Sequence, residues 1–282
     1  MEDSEYSEYE DRLRLWQRSS RTFHLLGTPM RPSGEDISFY WGMVREWIET
    51  RRAPRVLLLG VTPELYRLPW PEGTDFIAAD CSQAMIDAVW PGPKSAARCC
   101  DWLSLDFPEG SRDIVLCDGG LHLLSYPQEQ KKLVRTLHRI LASGGLCVFR
   151  LFAMPAEKET PEAVLCDLRN LKIKNTDTLR IRLLMALQDK PEEGVALGDV
   201  YRTLMEGIDD LKQLQTRIGW TEECTRPIHN FRGLQYRYHI LTPEQVMDMF
   251  GADPGGFRVH RICIPSYALG DRFPMIGFIR LA

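Results

Sequence analysis

The chain predicts a doubly wound α/β fold, and three features carry that reading. Short apolar runs recur from Arg55 to Phe152, helical or turn-like segments separate them, and a second pair of strand-like runs follows near residue 280. The runs RVLLLG, DFIAAD, DIVLCD and GGLCVFRLF are apolar throughout, as parallel strands buried on both faces are. A third, shorter strand falls at RCC, between DFIAAD and DIVLCD. GFRVHRICIPSY and RFPMIGFIRLA, joined by an ALGD turn, read as an antiparallel pair that closes a mostly parallel seven-stranded sheet.

The helices follow from capping and period. SQAMIDAVW is a helix with Ser82 as its N-cap. In PQEQKKLVRTLHRILASGG, Leu133, Leu137, Ile140 and Leu141 line one face, and Gly144-Gly145 is the expected stop. Residues 8 to 50 read as two helices broken by GTPMRPSGED, the second being ISFYWGMVREWIETR. Leu197, Val200, Leu204, Ile208, Leu211, Leu214 and Ile218 recur at three and four within a long, strand-poor stretch. The expected organisation is a helical cap over 1–54, a ligand-binding core over 55–154, a helical insertion over 155–240 and the end of the core sheet over 241–282.

Composition narrows the function. With 282 residues, 44% hydrophobic and 26% charged, the chain can bury a sizeable core. A net charge of −4 offers no excess of cations to neutralise a phosphate backbone, so no nucleic-acid partner is expected. No apolar run reaches the roughly 18 to 20 residues of a membrane span, and MEDSEYSEYED lacks the character of a signal peptide, which makes the cytoplasm the expected compartment. The eight cysteines contain no C-x-x-C pair and the six histidines no H-x-x-x-H pair, so no metal is expected. Cysteines inside apolar runs read as small buried hydrophobes.

The stretch RVLLLGVTPEL ends a strand at Gly60, where a dinucleotide fingerprint supplies two further glycines; here those places hold Thr62 and Glu64. Thr62-Pro63-Glu64 reads as an N-cap, a first-turn proline and an acid, which puts a negative side chain where a phosphate would sit. NAD and ATP are disfavoured on that ground. A ligand with no phosphate and a cationic centre is not repelled, and S-adenosylmethionine is one. Asp80, about twenty residues past Gly60 at the end of the second strand, is placed to accept hydrogen bonds from both ribose hydroxyls. It is also what a turn-starting surface aspartate looks like.

Together, LLLG, AADCSQAMID, CCDWLSLDFPEGSRDIVLCDGG and LASGGLCVFRLF resemble a class I S-adenosylmethionine-dependent methyltransferase with a Rossmann-like methyltransferase fold. The resemblance covers Arg55 to Phe152 and, more loosely, the last two strands. It implies that Gly60 and Val61 pass the methionine part of the cofactor, that Asp80 holds the ribose, and that Cys81 and Met85 lie against the adenine. It also implies that Asp101 takes the adenine amino group with Trp102 beside it, and that Cys117, Asp118 and Gly119 stand near the sulfonium. The chain departs from the pattern in its single-glycine loop and in a first crossover, VTPELYRLPWPEGT, too short and proline-rich for a long helix.

Methyl transfer needs an acceptor aligned with the S–CH₃ bond, exclusion of water and, for some acceptors, loss of a proton. His122, just past the fourth strand, is the candidate base and Asp118 the second; each also fits a packing or hydrogen-bonding role. Tyr40 and Trp41 are candidates for an aromatic lid over the sulfonium, or for the apolar face of their helix. Arg232, Tyr236, Arg237, Tyr238 and His239 are candidates for orienting an anionic or aromatic acceptor, or for an ordinary strand facing solvent. The expected activity is methylation of an O or N atom of a small or medium-sized molecule, with 155–235 as a lid. A peptide acceptor, or a non-catalytic cofactor-binding scaffold that dimerises through the helical insertion, stays open beside it.

Overall fold

The computed structural model describes residues 2–49, 53–252 and 256–282. In chain order, α1 spans Glu2–Ser20, α2 Gly34–Ile48, β1 Arg55–Leu59, α3 Pro63–Tyr66, β2 Asp75–Asp80, α4 Gln83–Val89, β3 Ala97–Cys99, β4 Arg112–Asp118, α5 Gln128–Ile140 and β5 Leu141–Arg150. Then come α6 Pro161–Arg169, α7 Thr176–Leu187, β6 Val195–Ala196, α8 Leu197–Glu206, α9 Leu211–Ile218, α10 Glu222–Thr225, β7 Arg237–Tyr238, α11 Pro243–Gly251, β8 Phe257–Cys263 and β9 Met275–Arg280. The chain divides into two units, one of residues 32–155 with 241–282, the other of 1–31 with 156–240. α1 and α2 therefore fall in different units.

The first unit is built on a seven-stranded sheet in the order β3-β2-β1-β4-β5-β9-β8. β3, β2, β1, β4 and β5 are parallel, and β9 pairs antiparallel with both β5 and β8. The doubly wound reading and the closing antiparallel pair hold. Leu57, Leu59, Val115, Cys147 and Phe149 from the strands pack with Leu133, Val134 and Leu137 of α5 and Val246 and Phe250 of α11 in one core. Phe250 stacks on Phe278 at 4.2 Å and meets Phe149 and Phe257 edge-on at 5.5 and 5.3 Å.

Two local features differ from the expected pattern. α5 ends at Ile140, and the Gly144-Gly145 pair lies within β5 rather than closing the helix. Leu141 pairs with Arg112 and the next partners are Ile114 and Leu146, so the residues between loop out of register. Gly144 adopts φ +71°, and a Cβ on Gly145 would stand 2.8 Å from the Ala142 carbonyl oxygen. α2 begins at Gly34, three residues before the expected start, because Ser33 and Asp36 form a capping box in which Ser33 Oγ accepts from Asp36 N. Residues 50 and 51, expected at the end of that helix, lie outside the described residues. The first crossover holds only the four-residue α3.

The second unit is mainly helical. α7 is buried on nearly every side, which marks it as the central helix of this unit. Its Arg180 pairs with Asp177 and lies over the Phe231 ring at 5.4 Å, while Asp177 accepts from the Gly27 N–H at 2.9 Å. The apolar period from Leu197 to Ile218 forms two helices, α8 and α9, interrupted at Gly207 and restarted by Asp210, whose side chain accepts from Gln213 N. One small antiparallel pair, β6 with β7, accompanies the helices, and β7 falls in NFRGLQYRYHI, where a strand was one expectation. α1 is held by Arg18, which donates to the carbonyls of Asn230 and Arg232 at 3.0 and 2.8 Å.

Phe250 is the side chain on which the aromatic core of the sheet unit converges. Phe250→Ala is expected to cost about 3–5 kcal/mol in urea unfolding, whereas Phe250→Leu keeps most of the volume and costs much less. Equal losses would mean that cavity formation is not what the site resists.

Candidate functional site

The strand order reverses between β1 and β4, and in such sheets ligands bind outside the carboxyl ends of the strands at that point. β1 runs out at Gly60, whose φ of +94° turns the chain sharply and whose N–H donates to the Ala79 carbonyl at 2.7 Å. α3 then starts with Thr62 at the N-cap, Pro63 at the first position and Glu64 in the first turn, although the Thr62 side chain makes no capping bond. Val61 is buried at this turn.

Asp80 closes β2. Its Oδ1 accepts from the Ser82 N–H at 2.8 Å, and Ser82 in turn caps α4 by accepting from Met85 N at 3.3 Å. Burial pushes the Asp80 carboxyl up to about 7, and the bond from Ser82 opposes the rise. Met85 is buried and Cys81 half-buried. Beyond β3, Asp101 Oδ1 accepts from Leu103 N at 2.9 Å and starts a single 3₁₀ turn.

Trp102 reaches across three strand ends. Its Nε1–H donates to the Ala79 carbonyl at 2.7 Å. A Cβ placed on Gly60 would lie 3.9 Å from the ring, and one on Gly120 would stand 2.8 Å from it and 2.6 Å from Cys117 Sγ. Gly120 is therefore glycine because the indole and the thiol fill the room a side chain would take. Sequence reasoning placed Trp102 only beside the adenine and did not single out Gly120, for which the second glycine of CDGG was the available signal.

At the end of β4, Asp118 Oδ1 accepts from Arg150 Nε at 2.5 Å, with both side chains buried. Burial raises the Asp118 carboxyl against the pull of Arg150; burial works against the Arg150 charge too, but Asp118 more than offsets it and keeps the guanidinium charged. Arg150 lies 5.7 Å from the centroids of both Phe152 and Phe273. Gly119, at φ +63°, donates its N–H to the Arg150 carbonyl at 3.0 Å, and a Cβ there would meet the Phe152 ring at 2.8 Å. Cys117 is buried, which pushes its thiol up and keeps it protonated.

Three expected roles change. His122 is buried and stacked on Phe152 at 4.5 Å, and burial followed by the Arg150 charge lowers its pKa to about 3. An imidazole that weak is a poor acceptor for a proton from a hydroxyl or an ammonium. Asp118 is committed to Arg150 and is a structural anchor rather than a ready base. Tyr40 is fully buried instead of forming an open lid: its hydroxyl donates to the Cys117 carbonyl at 2.7 Å and accepts from the Arg150 N–H at 3.1 Å. Trp41, beside it on α2, is half-buried.

Arg232, Tyr236, Arg237, Tyr238 and His239 belong to the helical unit. Tyr236 and Tyr238 are buried and meet edge-on at 5.7 Å, His239 is buried with Nδ1 2.7 Å from the Pro191 carbonyl, and Arg232 and Arg237 are exposed.

The sheet unit thus brings Gly60, Val61, Asp80, Cys81, Met85, Asp101, Trp102 and Gly119 to the carboxyl ends of β1–β4. The set fits S-adenosylmethionine: a carboxylate for paired hydroxyls, an aromatic wall with no room for a Cβ behind it, and an acid in place of a phosphate cradle. Asp80 also makes a testable demand on pH. A carboxyl with a raised folded pKa gives its full stability below its unfolded value, about 3.9, and loses it as pH rises through about 7. Asp80→Asn is expected to gain stability relative to the wild type between pH 4 and 7 and to hold a constant difference above, measured by urea unfolding. A difference independent of pH would contradict this.

Comparison with known proteins bears on the same strands. Residues 59–149 match the family model described as a methyltransferase domain. No curated protein matches the chain. Among solved structures, a Rhodobacter sphaeroides chain provisionally described as a zinc-dependent alcohol dehydrogenase superposes with a TM-score of 0.59 at 13% identity, covering 96% of this chain and 98% of that one. A chain from the complex of the Haloferax volcanii Trm112 methyltransferase activator with its provisionally assigned methyltransferase gives 0.50 at 10% identity, covering 96% and 98%. N-methyltransferase NodS from Bradyrhizobium japonicum, in complex with S-adenosyl-L-homocysteine, gives 0.49 at 11% identity, covering 95% and 98%. The likeness to the first two is one of fold. The matched segment runs from the end of β1 to the end of β5, so this part of the chain is similar to a methyltransferase domain.

Proposed function

We propose that the chain transfers the methyl group of S-adenosylmethionine to an O or N atom of a small or medium-sized acceptor. The observation that supports this best is the placement of Asp80, Trp102 and the Gly60 turn at the strand ends beside the switch point, with an acid, Glu64, in the first turn of α3. S-adenosylmethionine supplies an activated methyl group when bound. The chain's own part is then to hold the ribose through Asp80, to fix the depth of the crevice through Trp102, and to keep the loop at Gly119 closed on Phe152.

The state of His122 and Asp118 favours an acceptor that arrives without a proton to lose, such as a carboxylate or a free amine lone pair. Of the residues expected to orient it, Arg232 is exposed and can meet an anionic ligand directly; buried Tyr236 and Tyr238 act by supporting the surface around it. A peptide that presents such a nucleophile fits the same chemistry. Ligand-dependent hydrogen exchange in residues 156–240 supports acceptor binding there, whereas protection that follows protein concentration supports a dimer interface.

S-adenosylmethionine and its demethylated product are expected to raise the melting temperature by mass action, and NAD and ATP are not. Asp80→Ala should remove most of the shift. Stabilisation by NAD alone would sink the cofactor reading. With an extract as acceptor source and isotopically labelled methyl groups, a methylated product identifies the acceptor; tight cofactor binding with no product in any fraction favours the scaffold. The rate of product formation should show no inflection near pH 6.5 attributable to His122, because its imidazole stays neutral above about 3. An inflection there that disappears in His122→Gln would restore it as the base.

A further inference from the structure

We infer that the indole of Trp102 is the π-face against which the protein holds the positive sulfonium of its cofactor, and that it sets a preference for the charged cofactor over the neutral demethylated product. The inference rests on the cofactor reading above. A trialkyl sulfonium carries no N–H or O–H donor, so a protein recognises its charge through a nearby anion, oriented oxygen dipoles or a π-face. Asp118, the acid at the end of β4, is already paired with Arg150 at 2.5 Å. Of the aromatic side chains at this edge, Tyr40 is fully buried with its hydroxyl engaged, and Phe152 carries His122 and Arg150.

Trp41 on α2 is half-buried, and Trp102 is the aromatic side chain whose contacts place it across the strand ends. The ring spans from the Ala79 carbonyl, which takes its N–H at 2.7 Å, to Gly60 at the end of β1 and Gly120 beyond β4. It therefore crosses the switch point rather than lying to the adenine side of it. Trp102 packs against the core cluster and is partly buried, so the ring has a fixed backing. The bond to Ala79 and the closeness of Gly120 leave it little freedom to rotate, and a rigid ring binds a cation without an ordering cost.

A π-face distinguishes the two forms of the cofactor in a way that shape cannot. Sulfur is cationic before transfer and neutral after it, while the adenosine and amino-acid parts are unchanged. Trp102 is thus expected to contribute to binding before transfer and to release the product after it, which matters where product departure limits turnover.

Calorimetric titration of the full-length protein with S-adenosylmethionine and S-adenosylhomocysteine tests this. Trp102→Leu, which keeps an apolar filler and loses the ring, should weaken binding of the sulfonium compound roughly 5- to 30-fold and that of the thioether by less than about threefold. Trp102→Phe keeps a π-face but loses the N–H, and should retain part of the preference. Gly120→Ala leaves Trp102 in place but pushes a Cβ to 2.8 Å from it, and should shrink the preference by displacing the ring. Melting curves of each variant show that it is folded. A merely structural role for Trp102 would weaken both ligands equally, and equal losses in Trp102→Leu or, should it not fold, in Trp102→Phe and Gly120→Ala, overturn the inference. If the wild type binds neither compound, the cofactor reading itself falls, which is a separate result.

Discussion

A guanidinium with no exposed surface, Arg150, sits at the carboxyl end of β5 and is neutralised by Asp118 at the end of β4. Such a pair contributes little net stability, because desolvation consumes most of the attraction, but it tolerates no loss of either partner. Its importance is geometric. The Arg150 backbone takes the Gly119 N–H on its carbonyl and gives its own N–H to Tyr40, whose hydroxyl returns to Cys117. Arg150 thereby ties α2 and the loop after β4 through its backbone and the end of β4 through its guanidinium, with Phe152 and Phe273 around it.

The glycine-poor loop makes sense beside that anchor. Glycines in a dinucleotide loop let a pyrophosphate approach the backbone and let a helix pack close to the strand. Here only Gly60 is needed for the turn, because α3 has four residues and no long helix must come near. The second requirement for absent side chains has moved to Gly119 and Gly120, where Phe152 and Trp102 occupy the space. The chain has changed which backbone is approached, and by what: rings of the protein itself lie against these glycines.

Much of the fold was legible because its signals are local. The strands are uninterrupted apolar runs, and Ser82 announces α4 as a cap. Gly144-Gly145 misled because the same residues suit a helix stop and a bulge, and the choice depends on where Arg112 and Ile114 fall in the facing strand. The capping box at Ser33 and Asp36 was written in GTPMRPSGED but hidden among turn-forming residues. In the site, Asp80 and Asp101 could be placed by their distance from strand ends. The states of His122, Tyr40 and Asp118 could not, since each depends on Arg150, at least 28 residues away in the chain. The one hint was an arginine inside the apolar run GGLCVFRLF, which a buried strand accepts only with a partner.

The order β5-β9-β8 carries a kinetic consequence. β9 follows β8 in the chain but lies between it and β5, so β8 has no seat in the sheet until β9 has paired. That pairing joins Cys147 to Phe278 and Phe149 to Ile276, partners with residues 156–240 of the helical unit between them in sequence. Loop closure of this length comes before any reward in contacts, and proteins dominated by such non-local pairings fold slowly. Until β9 arrives, β5 presents an apolar edge with unpaired amides and carbonyls, the feature most prone to join a neighbouring chain. All five parallel strands precede β8 and β9 in the chain, so the edge of β5 is the one left open in a chain made only that far.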